Sequence, residues 1–309
     1  MSEKDAIVRV EHNVYYIDPL RLGSHSVSGI YLLVGEDVTL IETGTSHVAP
    51  HVFEAVRAIG LKEKDIARCI VTHVHLDHAG ATGWLVRRVP HVRVYVHERG
   101  ARHLADPSRL MESAQMVYGD TETIREIHGE ILPVPEGNLV PVKDIEIDIG
   151  SGIRLRIFDA PGHAPHHVCI FEPGTGILFA GEALGHYIPD FDVLTPAVAP
   201  PGFDLEASVE TARKIRGLDP RIICFSQFGQ HRDPAFILEE SERQTRNYGE
   251  LIRISLENGL GTGDIIEMML ERLSREPQAR RFSEQSLRGM LMSIVLGYYQ
   301  YFRRTGAIN

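Results

Sequence analysis

The stretch Thr72-His73-Val74-His75-Leu76-Asp77-His78-Ala79-Gly80 decides how this chain is interpreted, and it directly follows an apolar run typical of a buried strand. In extended chain that leaves a strand, alternate residues share a side, so His73, His75 and Asp77 converge while His78 points to a neighbouring position. Imidazole nitrogens and carboxylate oxygens bind Zn²⁺, and Mn²⁺ and Fe²⁺ also accept them. The pattern therefore predicts a metal site at this strand end.

Asp77 also has a structural interpretation. A helix is predicted to begin near Ala79, so Asp77 is placed to cap it, with the three histidines as polar surface residues. Capping explains one side chain and leaves this density of imidazole without a structural reason. We therefore interpret the cluster as metal-binding.

Three further predicted strands end shortly before a side chain that is able to bind metal. The strands and the residues that follow them are Arg154–Asp159 with His163, Gly176–Gly181 with Glu182, and Arg221–Ser226 with Gln227 and His231. Open sheets that are covered by helices bind ligands beyond their strand ends, so four such ends predict one shared site. A lone histidine after Pro-Gly also stabilises turns, and His163 is assigned as a ligand because the first cluster is present.

These motifs resemble those of the metallo-β-lactamase superfamily of metallohydrolases. The matching segments are His73–Gly80, Ala160-Pro161-Gly162-His163, Phe179-Ala180-Gly181-Glu182, and the opening Gly29–Val34 and Leu40–Gly44. The resemblance covers about residues 7 to 240. It implies an α/β (α+β) fold, a four-layer αββα sandwich in which two sheets pack face to face with helices outside, and a C-terminal helical extension is predicted beyond it.

The resemblance also implies a binuclear site of two divalent metal ions at the sheet edge, with zinc expected ahead of manganese or iron. It assigns His73, His75 and the loop of His163 to one or other metal, and Asp77 and His78 to the second.

Two positions depart from the family pattern. Glu182 stands where the family usually has an aspartate that bridges both metals, and a glutamate still bridges with one more methylene of reach, or else is a solvated turn residue. Gln227 stands where the family has a histidine, and a neutral amide is a poor zinc ligand. We expect His231 to supply the missing imidazole, with a surface-loop histidine as the alternative.

The predicted ligands imply hydrolysis without a side-chain nucleophile. Two divalent ions acidify a water and polarise the bond that it attacks. Asp77, which binds a metal and orients that water, is the predicted catalytic residue. His166 and His167 contact the substrate, lie behind the ligands or are surface residues. Gln227 is a possible substrate contact or an alternative ligand, and Tyr187 donates to a developing oxyanion or packs in the wall.

Composition excludes several other classes of protein. The chain has 309 residues with 43% apolar content, enough for one large core and a small extra unit. A formal charge of −10 argues against a nucleic-acid partner, because phosphate binding needs clustered basic residues. The N-terminal segment lacks the apolar core of a signal peptide, so a cytoplasmic location is expected. Cys69, Cys169 and Cys224 lie in apolar runs and are expected to be buried, inert thiols.

Residues 1–235 are predicted to form the catalytic domain and residues 236–309 a C-terminal helical region. The other predicted elements are strands over Ile7–Asp18 and Val27–Ile41, a helix over His47–Ile59, an irregular segment over Pro189–Gly202, a helix over Asp204–Ile215 that Asp204 caps, and helices over Phe236–Asn258, Thr262–Arg275 and Ser283–Arg304. The apolar stretch Gly289–Phe302 is too short to span a membrane and is expected to pack on the core or on a partner subunit, so the protein is a monomer or a homodimer.

The leading hypothesis is a zinc-dependent esterase or phosphoesterase that acts on a small molecule. Phosphodiesters and phosphotriesters are favoured over lactones and thioesters, and a β-lactam is not expected because no export signal is present. The alternative is a ligand-binding or regulatory protein with a weakened metal site, which the departures at Glu182 and Gln227 motivate. Turnover of an ester separates the two hypotheses.

Overall fold

The structure is a computed structural model that describes residues 7–19, 28–189, 192–227, 229–276 and 283–308. The chain divides into two compact units. The first unit contains the described residues of Met1–Asp159, His166–Gly181 and Arg221–Gln230, and the second those of Ala160–Pro165, Glu182–Pro220 and His231–Asn309. The predicted start of a strand at Val27 lies outside the described residues, and the domain boundary after residue 235 stays a prediction.

The strands follow one another in chain order as β1 (Ile7–Glu11), β2 (Val14–Ile17), β3 (Ile30–Val34), β4 (Val38–Ile41), β5 (Ile66–Ile70), β6 (Arg93–His97), β7 (Leu139–Val142), β8 (Ile145–Asp148), β9 (Arg154–Asp159), β10 (Val168–Glu172), β11 (Ile177–Gly181), β12 (His186–Ile188), β13 (Val193–Thr195), β14 (Ile222–Phe225) and β15 (Gln230–His231). The α-helices are α1 (Ala49–Ala58), α2 (Leu76–Ala79), α3 (Thr82–Arg88), α4 (Glu98–Ala105), α5 (Ser108–Tyr118), α6 (Thr121–His128), α7 (Leu205–Arg216), α8 (Pro234–Glu257), α9 (Thr262–Ser274) and α10 (Glu284–Thr305).

The first unit contains two sheets. One has the order β1 to β7, in which β1 to β4 pair antiparallel and β4 to β7 pair parallel. The parallel pairs follow from the connections, because parallel strands need a crossover segment, here mostly helical. The other sheet has the order β15-β14-β11-β10-β9-β8, and among the strands from β14 to β8 only the β11–β14 pair is parallel.

Side chains from both sheets form one buried core. Tyr31 and Ile70 of the first sheet share it with Ile157, Phe179 and Cys224 of the second, and each is at most 1% exposed. The rings of Tyr31 and Phe179 meet edge to face, with centroids 5.2 Å apart. The two sheets therefore pack face to face, and the predicted α/β class is confirmed. The three cysteines are buried, as predicted.

The opposite face of the first sheet is covered by helices. Leu40 and Val94 of the sheet form a second buried core with Phe53 of α1, Leu85 of α3 and Leu104 of α4. These five side chains are all apolar. Because both faces of the sheet are buried, most residues of β4, β5 and β6 are apolar as well. The helix predicted over 47–59 is observed as α1, two residues shorter at its start and one at its end.

The second unit is mainly helical. Helices α8, α9 and α10 pack around Phe203, Ile252, Val295 and Tyr298, which are all buried. All three helices were predicted, with ends within two residues of those observed. Asp204 caps α7 as predicted, because its carboxylate accepts a hydrogen bond of 3.0 Å from a backbone N–H of the first turn. Among the described residues, no helix combines the length and the apolar character that crossing a membrane requires.

The segment Pro189–Gly202 is more regular than predicted. Its residues Val193–Thr195 form β13, which pairs antiparallel with β12 in a separate two-stranded sheet. A strand of three residues is too short to show the alternation that sequence patterns detect, so the strand becomes evident only from its hairpin pairing with β12. Residues 190 and 191 lie outside the described part of the chain.

Two glycines of α10 provide a matched test of packing in the second unit. A Cβ atom on Gly297 would lie 2.3 Å from Cγ1 of Val198, whereas one on Gly289 would meet nothing within 4 Å. We expect Gly297→Ala to lower the free energy of unfolding by about 1–3 kcal/mol through overpacking, and Gly289→Ala to raise it by about 0.5–1 kcal/mol because alanine favours the helix. Urea denaturation measures both, and equal shifts would contradict the packing around α10.

Candidate metal centre

In the first unit, the loop after β5 brings the predicted histidines together. The ring centroids of His73 and His75 are 4.5 Å apart, and those of His73 and His78 are 4.1 Å apart. His73 and His78 are buried, and His75 is the N-cap residue of α2 in extended conformation. Asp77 lies in the first turn of α2 rather than at its N-cap, so the capping interpretation does not account for it. Its Oδ2 atom is 3.5 Å from Nε2 of His78.

A buried carboxylate lies beneath this cluster. Glu42 follows β4, is 1% exposed and has a φ of +67°. Its Oε1 atom accepts hydrogen bonds from the hydroxyls of Thr72 and Ser226, the second at 2.8 Å, and lies 3.6 Å from Nδ1 of His78. Glu42 lies in the Leu40–Gly44 segment that carries part of the family resemblance, but no role was predicted for it. The available signal was its position directly after a buried strand, like the other predicted ligands.

Gln227 and the second histidine pair also lie in this unit. The Gln227 amide donates to Oδ2 of Asp77 at 3.3 Å, so the residue in the family's histidine position contacts the predicted catalytic carboxylate. His167 is fully buried with its ring centroid 5.0 Å from that of His73, and His166 lies 5.6 Å from His75 by the same measure. Both histidines therefore line the cluster from a different segment of chain.

In the second unit, His163 and Glu182 lie together. Nε2 of His163 is 2.8 Å from Oε2 of Glu182, and both side chains are 5% exposed. The other carboxylate oxygen of Glu182 contacts Nε2 of His186, a residue that the sequence did not single out. His186 follows Glu182 by four residues, a spacing that carries no metal-ligand signature in a loop.

His231 and Tyr187 form a second contact in this unit. Their ring centroids are 4.6 Å apart, and Nδ1 of His231 accepts a hydrogen bond of 3.0 Å from the backbone N–H of Asp233. The Tyr187 hydroxyl donates to Asp192 at 2.9 Å, and burial with this bond raises the pKa of Tyr187 to about 12. Tyr187 is therefore protonated at neutral pH and is already engaged as a donor. The assignment of His231 as a metal ligand stays a prediction.

The side chains of both units fit a cation chemically. In the first unit, one ligand atom each from Glu42, His73 and His78 lies within 4.8 Å of the others, all from buried residues. In the second unit, Nδ1 of His163 is 3.1 Å from the carbonyl oxygen of Ala197, a contact that places the proton of a neutral ring on Nδ1. Nε2 of His163 faces the Glu182 carboxylate, and a cation that binds both groups would stabilise this pair.

Comparison with known proteins identifies the family. The sequence profile of the metallo-beta-lactamase superfamily matches residues 25–227, so the chain belongs to that superfamily. A metallo-beta-lactamase fold-containing protein of Sulfurisphaera tokodaii, ST1585, is 26% identical over 251 residues, 79% of this chain and 88% of the relative. The probable metallo-hydrolase MJ0888 of Methanocaldococcus jannaschii is 26% identical over 160 residues, 52% of this chain and 68% of the relative.

Solved structures agree with the family assignment. The crystal structure of ST1585 from Sulfolobus tokodaii superposes with a TM-score of 0.67 and 22% identity, covering 94% of this chain and 99% of that one. The metallo-beta-lactamase family protein TTHA1429 from Thermus thermophilus superposes with a TM-score of 0.69 and 22% identity, covering 91% of this chain and 90% of that one. The resemblance and the fold class predicted from the motifs are confirmed.

Alanine replacement tests the first cluster directly. His73→Ala and His75→Ala are each expected to remove most of the bound metal, because each replacement deletes one imidazole from the binding group. Elemental analysis of the purified variants measures the metal content, and circular dichroism checks the fold. His51→Ala is the matched control, because His51 is 52% exposed. Wild-type metal content in both cluster variants would refute the site.

The position of Gln227 generates a second test. If His231 compensates for the amide, His231→Ala should lower the affinity for one of two ions and leave the other bound as in the wild type. The double variant Gln227→His with His231→Ala should then bind two ions again, since imidazole binds Zn²⁺ better than an amide does. Metal titration by calorimetry counts the ions. Two ions of unaltered affinity in His231→Ala would show that His231 is no ligand.

Proposed function

We propose that this protein is a metal-dependent hydrolase that cleaves an ester-type bond in a small molecule. Phosphodiesters and phosphotriesters are the favoured substrates, ahead of lactones and thioesters. The observation that carries the proposal is the buried histidine cluster after β5, which combines His73, His75 and His78 with Asp77 in a member of a metallohydrolase superfamily.

The proposed metal centre holds two divalent ions, with zinc favoured over manganese or iron. The proposed ligands are His73, His75, Asp77, His78, His163, Glu182 and His231. Each of the first six follows a strand, and nitrogen and oxygen donors of this kind suit zinc. When bound, the ions would lower the pKa of a water toward neutrality and stabilise the negative charge that develops on a phosphoester.

The chain's own residues perform three tasks in this proposal. Asp77 binds and orients the attacking water, and the Gln227 amide fixes the carboxylate by donating to Oδ2. His186 holds one oxygen of Glu182 and His163 faces the other, so the carboxylate has one defined orientation. Glu42, which accepts hydrogen bonds from the Thr72 and Ser226 hydroxyls, lies beside Nδ1 of His78 and orients that ring. Positioning of this kind is the protein's share of metal-assisted hydrolysis.

The alternative function is a binding or regulatory protein with a weakened metal site. Glu182 and Gln227, which stand in place of the family's aspartate and histidine, favour it. We also propose a cytoplasmic protein that acts on small molecules, as a monomer or homodimer, without a nucleic-acid or membrane partner.

Turnover separates the two functions. We expect the metal-loaded protein to hydrolyse p-nitrophenyl phosphodiesters, phosphotriesters or lactones, and chelator treatment to abolish the activity reversibly. Asp77→Asn should lower kcat by about 10²–10⁴-fold, the usual contribution of a positioned group in proton transfer. Release of p-nitrophenolate measures the rate for the phosphoesters and release of protons measures it for the lactones, and His51→Ala again provides the control. Binding of these esters without consumption would establish the alternative function instead.

A further inference from the structure

A cavity of about 560 Å³ opens in the second unit, between the β12–β13 hairpin and helices α8, α9 and α10. Its wall includes the apolar side chains of Leu251, Met269, Leu273, Leu287, Met290 and Leu291. Small-molecule sites have volumes of roughly 300–1,000 Å³, with mainly apolar walls and a few polar groups that orient the ligand. The cavity therefore has the size and the wall of a binding site.

The polar component consists of the hydroxyls of Thr195 and Tyr248, together with the side chains of Arg243, Gln244, Asn247, Glu250, Arg272 and Glu276. Thr195 is 5% exposed, and within the part of the chain that the structure describes its Oγ1 atom has no hydrogen-bond partner. A buried hydroxyl is unfavourable when it stays unpaired, so a polar ligand atom at this wall would satisfy it. Tyr248 also lines the cavity, and burial raises its pKa, which keeps the phenol protonated and able to donate.

The hairpin connects this cavity to the candidate metal ligand Glu182. In the β12–β13 register, His186 pairs with Thr195 and Ile188 with Val193, so these four side chains share one face of the hairpin. Ile188, Val193 and Thr195 line the cavity, as does Leu194 from the other face, and His186 contacts the carboxylate of Glu182. Alternate residues of a strand are about 7 Å apart, so one substrate can extend from the carboxylate into the cavity.

We propose that this cavity binds the apolar alkyl or aryl substituent of the ester substrate, and that the Thr195 hydroxyl bonds a polar atom at the near end of that substituent. The inference rests on the proposed function, because it takes Glu182 as a ligand of the catalytic metals. It narrows the substrate class to amphipathic esters, in which the reacting group is polar and one substituent is long and apolar.

A chain-length series on the full-length, metal-loaded protein tests the proposal. For p-nitrophenyl alkyl phosphodiesters from methyl to octyl, kcat/KM should rise about fourfold for each methylene buried, which corresponds to about 0.8 kcal/mol. Met290→Trp fills the cavity and should abolish this rise. Met292→Trp on the same helix is the control, because Met292 is 38% exposed and does not line the cavity. Met269→Trp with Met268→Trp repeats the comparison on α9, should Met290→Trp fail to fold.

Binding of a neutral fluorescent probe, N-phenyl-1-naphthylamine, separates the cavity from the chemistry. The probe should bind the wild type and Met292→Trp alike, and Met290→Trp at least about tenfold more weakly. Thr195→Val should keep probe binding, raise the melting temperature and lower kcat/KM for the long substrates. A kcat/KM that does not change with chain length, or probe binding that Met290→Trp does not weaken, would overturn the cavity assignment and leave the proposed function standing. Normal probe binding without turnover of any ester would instead refute the proposed function, and with it the assignment of the cavity to a substrate.

Discussion

The buried carboxylate of Glu42 is the constraint on which the first ligand group depends. A charge that is 1% exposed is unfavourable unless hydrogen bonds or opposite charges surround it. The hydroxyls of Thr72 and Ser226 and the ring of His78 meet this requirement at Oε1, and they come from the segment after β5, from the end of β14 and from α2. Within the described part of the chain, Oε2 has no hydrogen-bond partner. One carboxylate therefore contacts residues from loops that follow strands of both sheets.

This arrangement explains why so many polar side chains tolerate burial at one place. His73, His78 and His167 are at most 2% exposed, and ligand atoms of His73 and His78 are close enough to share a cation with Glu42. Imidazoles are adaptable in this setting, since each ring can present a donor or a lone pair according to the bond that its other nitrogen makes. The apolar sheets below provide rigidity, which keeps ligand positions defined before any ion binds.

The second unit contributes a different kind of specificity. Its carboxylate Glu182 is held between two histidines, and the β12–β13 hairpin that follows carries one of them, His186, on the face that leads to the apolar cavity. A site that combines metal ligands with a long apolar wall discriminates substrates by the burial of their substituents. Under the proposed function, changes in the helices of this unit would alter the choice of substrate without altering the proposed ligands, as expected where one fold carries different functions.

Local sequence alone determined the histidine cluster, the strands that precede it, the cap of α7 at Asp204 and the three C-terminal helices. These features depend on spacing within a few residues, where the periods of strand and helix dictate which side chains share a face. Only the tertiary structure decided the role of Glu42, whose partners lie 30 and 184 residues away in the chain, and the pairing of β12 with β13. The contact of His186 with Glu182 and the cavity that Thr195 lines were likewise evident only from the tertiary structure. The contacts of Glu42 and the cavity arise where distant segments pack together, and the short hairpin and the contact four residues apart lack a periodic pattern, so local sequence records none of them.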